Sequence, residues 1–179
     1  MSTPRILPGG LGQVGLVNWG FARISGRVTG TNPPNLFLTM GRAPGLFRGW
    51  LHFAGRMMPG GKLPRRETEM VILRVAHTRG CQYEFDHHVR LGKRAGIGPV
   101  EVEQIITGPQ AEGWSARERA ILAAVDALQA EQDLDDATWA ELSAHLSERE
   151  VVELLLLAGH YEMLATFILT LRIEPDSHR

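Results

Sequence analysis

Along most of the chain the apolar residues recur at intervals of three and four, the period of a helix that buries one face. The run from Arg65 to Thr78 goes further: Met70, Val71, Leu73, Val75 and Ala76 leave almost no polar side. That spacing predicts a largely buried helix, with Pro64 near its start and Gly80 past its end. A second helix is expected from about Cys81 to Ala95, closed by Gly96, and Pro99 opens a short one. Ser115 with Glu118, and Ser147 with Glu150, have the S-x-x-E spacing in which two side chains satisfy free backbone donors reciprocally. Helices of about 15 and about 14 residues should follow these two boxes, with Asp135 as N-cap of another between them. Upstream, segments near 35–42 and 45–58 are punctuated by Pro44 and by "PGGKLP". Alternating β-branched runs with hairpin turns are absent, so the pattern predicts an all-α fold.

Before "TNPPN" (residues 31–35) the periodicity loosens. "GLGQVG", Gly10 to Gly15, spells the dinucleotide-binding pattern, which has meaning only after a strand, before a helix, and with an acid about 20 residues on. Here "RIL" sits between two prolines and residues 30–40 hold no acid, so nucleotide binding is not expected. Residues 1–32 read as a flexible or wrapping arm with a short amphipathic turn around Val14 to Ile24, and 33–175 as the helical domain. Leu63–His77 and Leu146–His160 align without gaps. Either both are helices with charged starts and apolar bodies, or a helical hairpin is duplicated.

A chain of 179 residues with 44% apolar and 22% charged content suits one globular domain. One cysteine cannot build a disulfide framework, which favours a reducing compartment. The apolar stretch "LLLLAG" falls short of the roughly 20 residues of a membrane span, and no signal-like N-terminus is visible. A cytoplasmic protein with no membrane partner is expected. The net charge of −1 hides an asymmetry: nine Arg and Lys residues, and no acid, precede Glu67. The arginines are scattered and no nucleic-acid motif accompanies them, so the basic segment is expected to face the acidic remainder of this chain or of a neighbouring copy.

The candidate chemistry lies in "CQYEFDHH", residues 81–88. On a regular helix Cys81, Glu84 and His88 fall within an arc of about 60°, while His87 points elsewhere. A first-turn cysteine is favoured as thiolate by the helix dipole, and Glu84 one turn away opposes this. If the two helices form an antiparallel hairpin about Arg79 and Gly80, the preceding one can bring Glu69 to the same face. Glu69 stands in an apolar run, where a carboxylate needs a partner; Arg65, Arg66 and Arg74 are the candidates for an ion pair. Arg74, or an N-terminal arginine, is also a candidate for holding a substrate carboxylate, from its charge alone. Glu84 and His87 form a single E-x-x-H, whereas di-iron bundles need two, so no metal is expected.

The segment "LPRRETEMVILRVAHTRGCQYEFDHHVRLGKRAGIG" resembles the carboxymuconolactone decarboxylase and alkylhydroperoxidase D-like (AhpD-like) superfamily, with support from "NLFLTMGRAPGLFRGW", "WSARERAILAAVDAL" and "YEMLATF". Glu69, Cys81 and His88 match that family's glutamate, first cysteine and histidine, at its spacing of twelve and then seven. Glu84 occupies the place of its second cysteine, and "YEF", with Tyr83, resembles the "YEW" of members that lack it. The resemblance implies an AhpD-like helical bundle, a homo-oligomer (trimer or hexamer, with a dimer as alternative), and a site for a small-molecule substrate. It implies catalytic Glu69, Cys81, Glu84 and His88, with Tyr83 toward substrate, and no cofactor; Arg74 stands toward substrate on its charge alone. Without a second cysteine no internal disulfide can form. The leading expectation is therefore cofactor-independent proton transfer or decarboxylation on a small carboxylated lactone or related metabolite. The alternatives are a single-cysteine thiol-dependent alkylhydroperoxidase, as in peroxiredoxin activity, and a non-catalytic ligand-binding oligomer.

Overall fold

Helices carry the backbone hydrogen bonding of residues 3–177, the part of the chain that the computed structural model describes. In order they are α1 (Leu11–Val14), α2 (Leu16–Thr29), α3 (Asn35–Met40), α4 (Pro44–Met57), α5 (Arg65–Thr78), α6 (Gln82–Arg94), α7 (Pro99–Thr107), α8 (Ala116–Glu131), α9 (Asp136–His145) and α10 (Glu148–Leu171). The fold is all-α. These residues divide into two compact units, one running to Arg56 and resuming at Phe167, the other Met57–Thr166.

The second unit is built around α5. Every residue from Thr68 to Ala76 is buried, and a helix without a solvent face has to be surrounded. It is packed by α6, α7 and α8, and α8 in turn carries α9. One core cluster joins Met70 and Leu73 to Ile97, Ile105, Ala111, Trp114 and Leu122. Each large apolar side chain buried there stabilises the fold by roughly 1.5–3 kcal/mol. Three arginines tie the helices laterally: Arg66 bridges Glu101 and Glu118, and Arg117 holds Glu67 and Glu150. The third, Arg74, clasps Asp126 through both carboxylate oxygens, at 2.6 and 2.8 Å.

The helix starts are where the side chains dictate them. Ser115 and Glu118 cap α8 reciprocally, Asp135 accepts from the Thr138 N–H at the start of α9, and Ser147 and Glu150 repeat the box at α10. The length of α10 departs from the expected 14 or so residues: it runs for 24, because no breaker follows Ser147 until Pro175 and Gly159 is absorbed within the helix. The echo between α5 and α10 thus ends at their bodies. Where α5 turns at Gly80, α10 continues.

The turn after α5 sets up everything that follows. The Gly80 N–H donates to His77 O at 2.9 Å and the Cys81 N–H to Ala76 O at 2.8 Å. This is the paired closure of a Schellman motif, and it needs the left-handed Gly80 φ of 62°. Cys81 is at once the last residue of that closure and the N-cap of α6.

In the first unit Phe21, Phe37, Phe47 and Trp50 form an aromatic cluster, with centroids 5.6–6.2 Å apart. The expected arm is helical over α1 and α2 rather than a single turn, because small or polar Asn18 and Ala22 let α2 lie close to its neighbours. Its start is tied down: Arg5 N–H donates to Leu171 O and Gly9 N–H to Leu38 O. The first two residues of that arm lie outside the described residues. Gly10 to Gly15 form α1 and its caps, with no strand before them. Among the described residues, α10 alone is long and apolar enough to cross a membrane by length and composition, at a mean hydropathy of 1.6. A core helix meets the same criterion.

Candidate active site

The buried carboxylate of Glu69 is the starting point. It sits on α5 with no exposure at all, in surroundings where an unpaired charge would cost several kcal/mol. Two cations answer it. Arg65, one turn back, brings its guanidinium to 2.5 Å from Oε1, as an ion pair whose angles are off the line of a hydrogen bond. His88 of α6 places Nδ1 2.7 Å from Oε2. The other ring nitrogen, Nε2, lies 3.3 Å from Oε2 of Glu84, one turn back on α6. The hairpin about Gly80 is what makes this meeting possible.

Burial works against a charged His88, but hydrogen bonds to Glu69 and Glu84, with the charges of both, outweigh it and raise its pKa to about 9. At neutral pH the ring is therefore an imidazolium, and both of its N–H groups donate to carboxylates. The result is a linear chain: Arg65, Glu69, His88, Glu84. Two of its carboxylate oxygens, Glu69 Oε1 and Glu84 Oε1, are buried and take no hydrogen bond from the described residues.

Cys81 is 1% exposed. Burial, against the pull of the Glu84 N–H and with the push of the Glu84 charge, raises its thiol to about 11. The first-turn dipole does not prevail, and the thiol is protonated at neutral pH. Two residues of α10 that the sequence pattern did not single out complete the surroundings. Tyr161 sets its ring edge-on to His88, with centroids 5.1 Å apart. His160, 5% exposed, is driven by burial down to about 4 although the Glu84 charge favours its cation. A signal existed for both: with Leu157 and Leu164 they make an inward stripe at helical spacing. It was masked by the run of leucines around it.

The two residues read as facing substrate are not part of this chain. Arg74 is a strut: besides Asp126 it donates to the Ile105 and Ile106 carbonyls, so its guanidinium is fully engaged in joining α5 to α7 and α8. Tyr83 is buried beside His87, with ring centroids 4.8 Å apart. His87 itself is half-buried.

Residues 44–127 match the model of the carboxymuconolactone decarboxylase family. Nearly the whole chain, 98%, superposes on 93% of an uncharacterized peroxidase-related protein from Ralstonia eutropha JMP134 with an alkylhydroperoxidase AhpD core, at a TM-score of 0.84 and 18% identity. The chain has the AhpD-like fold, and residues 44–127 are similar to the carboxymuconolactone decarboxylase family. A peroxidase-related protein from Silicibacter sp. TM1040 gives a TM-score of 0.82 at 16% identity, over 98% of this chain and 95% of that one. The debrominase Bmp8, as a cysteine-to-alanine variant in complex with 2,3,4-tribromopyrrole, gives 0.82 at 19% identity, over 97% and 92%. Identities this low speak to the shared fold alone. No protein of curated function matches the chain by sequence. Within the AhpD-like frame this chain carries a glutamate, Glu84, where the resemblance expects a second cysteine, and that glutamate supplies one of the two unpartnered oxygens.

Proposed function

We propose that this AhpD-like chain is a cofactor-independent acid–base enzyme that decarboxylates a small carboxylated lactone or related carbonyl compound. The observation that carries the reading is the buried Glu69–His88 pair at 2.7 Å, with Glu84 Oε1 beside it taking no hydrogen bond from the described residues. Substrate meets Glu84 there, and in the reactive complex its negative charge is matched by a proton on that oxygen. As the bond to the carboxyl group breaks and CO2 leaves, the electron pair is delocalised into the neighbouring carbonyl. Glu84 gives its proton at Oε1 to the developing anion and regains one at Oε2 from His88 Nε2. His88 is left neutral until solvent recharges it. Glu69 and Arg65 hold the ring in place and favour its charged form before turnover.

The protonated thiol weighs against the peroxidase alternative, since peroxide is attacked by a thiolate and no second cysteine is present to resolve the product. In the decarboxylase reading Cys81 is a wall of the site. Screening lactones and keto acids for CO2 release tests both. Glu84→Gln should lower kcat on the order of 100-fold or more, Glu69→Gln should also lower it, and Cys81→Ser should stay within a few-fold of the parent. Full turnover in both glutamate variants, or its loss in Cys81→Ser alone, would sink the reading.

A further inference from the structure

In the first unit, α2 is packed inside out. At about 100° per residue, Leu16, Val17, Gly20, Phe21 and Ile24 share an arc of about 140°, with Asn18, Ala22 and Gly26 on the opposite side. A surface helix ordinarily turns such an apolar arc to the core. Here Leu16, Val17, Phe21 and Ile24 are 74, 71, 40 and 60% exposed, whereas Asn18, Ala22 and Gly26 are buried. Backbone fit explains which side went in. A Cβ at Gly26 would lie 2.6 Å from the Asn32 carbonyl oxygen, and the Thr31 N–H donates to Gly26 O at 2.8 Å. So close an approach admits only small side chains along the inward row, and the bulky ones are left outside.

Single apolar side chains on a surface need no explanation, but a whole face of them marks a contact. Its neighbours indicate with what. Arg27 is exposed and continues the arc at the end of α2, and Arg23 borders it, with its guanidinium carbon 4.6 Å from the centre of the Trp19 ring. No acid precedes Glu67 in the sequence. The acids of the first unit, Glu174 and Asp176, follow α10, and Asp176 is engaged by the Asn35 N–H. The complement of this face is therefore apolar within and anionic at its edge.

A second copy that presented the same arc would bring no carboxylate to Arg23 or Arg27. A partner protein of another kind is recognised by hydrogen bonds as well as apolar contact, and the side chains from Leu16 to Ile24 on this arc offer none. A lipid surface needs no directional contact. It takes up aliphatic and aromatic side chains at the depth where the acyl chains begin, and holds arginine and tryptophan at the level of the headgroups. At 14 residues α2 is about 21 Å long, short of the roughly 30 Å hydrocarbon core, so it can lie along a bilayer and not cross it.

We propose that α2 docks the protein on an anionic bilayer, with Leu16, Val17, Phe21 and Ile24 in the boundary between headgroups and acyl chains and Arg23 and Arg27 at the lipid phosphates. This replaces the expectation of no membrane partner, which rested on the lack of a spanning segment and so bears on crossing a bilayer, not on lying against one. The chemistry at His88 plays no part in it.

Flotation of the full chain with lipid vesicles is the test, comparing phosphatidylcholine alone with phosphatidylcholine carrying about 30 mol% phosphatidylglycerol. The anionic vesicles should carry at least about tenfold more protein than the neutral ones. Val17→Asp puts a charge at the centre of the face without touching the core, and should lower that binding by about tenfold or more while the helical signal stays unchanged. Arg27→Gln should lower it several-fold. No flotation with either vesicle, or equal flotation with both, would overturn the proposal, and neither result depends on a variant that folds. Binding undiminished in Val17→Asp would overturn it too. So would a light-scattering mass that falls in Val17→Asp without vesicles, because the face would then be covered by a second copy.

Discussion

At the scale of single residues the protein holds two buried histidines in opposite states. His88 is raised to about 9 and His160 lowered to about 4, although both feel the Glu84 charge. What separates them is the pair of direct carboxylate contacts that His88 has, set against the burial that both share. The consequence for stability follows from linkage. His88 has a folded pKa above its ordinary value of 6.5, so its contribution is fully present below pH 6.5 and is lost as pH rises through about 9. His160 has a folded pKa below 6.5, so its contribution is present above pH 6.5 and is lost as pH falls toward about 4. Each is on the order of 3 kcal/mol. Histidine ring resonances followed by NMR should show one ring titrating near 9 and another near 4, and His160→Gln should flatten the acid side of a urea-midpoint profile. Two rings titrating near 6.5 would contradict the buried geometry. The shared face of Cys81, Glu84 and His88 was legible in the sequence by helical spacing, and Glu69 as an acid in an apolar run. The engaged state of Arg74 was not, because its partner Asp126 and the Ile105 and Ile106 carbonyls are remote in sequence and nothing local marks them.

At the scale of elements the site depends on one turn. Gly80 at a φ of 62° lets α5 close on Ala76 and His77 and lets α6 begin at Cys81, which sets Glu69 and His88 2.7 Å apart. No heavy atom lies within 4 Å of where a Cβ at this glycine would be, so the cost of Gly80→Ala is backbone strain, about 1–2 kcal/mol. Urea unfolding should register that loss, with Gly80→Asn milder because asparagine tolerates the left-handed region better. A stability unchanged in Gly80→Ala would mean that the closure is not left-handed in solution. Caps such as Ser115 with Glu118 and Asp135 were readable because their chemistry is confined to three residues. The end of α10 was not. A helix stops where a breaker or a lack of packing stops it, and the run past Gly159 continues because Leu164, Ala165 and Ile168 are buried, a fact of tertiary structure. The same limit applies to the N-terminal stretch, whose helices rest on Asn18 and Ala22 lying against neighbours rather than on any amphipathic pattern.

At the scale of the whole molecule, the surface of α10 raises the question of assembly. Its inward side carries His160, Tyr161 and the leucines of the core, yet its outward side is apolar too: Val152, Leu156 and Met163 are 55%, 47% and 49% exposed. With Gly159 and Thr166 they recur at intervals of four and three, an uncharged stripe of the kind that helices bury against each other. A helix apolar on both sides is ordinarily covered on both sides. The stripe is nearly symmetric about Gly159, as a surface that pairs with its own copy across a two-fold axis has to be. The charge distribution points the same way. Nine basic residues and no acid precede Glu67, which leaves −10 on the remainder of a chain of net charge −1, so a second copy offers each region its opposite. We therefore expect a homo-oligomer. Light scattering should give a mass that is a multiple of 19.8 kDa. Leu156→Glu, at an exposed position that the core does not use, should reduce that mass while leaving the helical signal unchanged. Raised salt should weaken the assembly only partly, since the stripe is uncharged. A wild-type chain that stays at 19.8 kDa at high concentration would remove the expectation, and an oligomer indifferent to Leu156→Glu would move the contact away from α10.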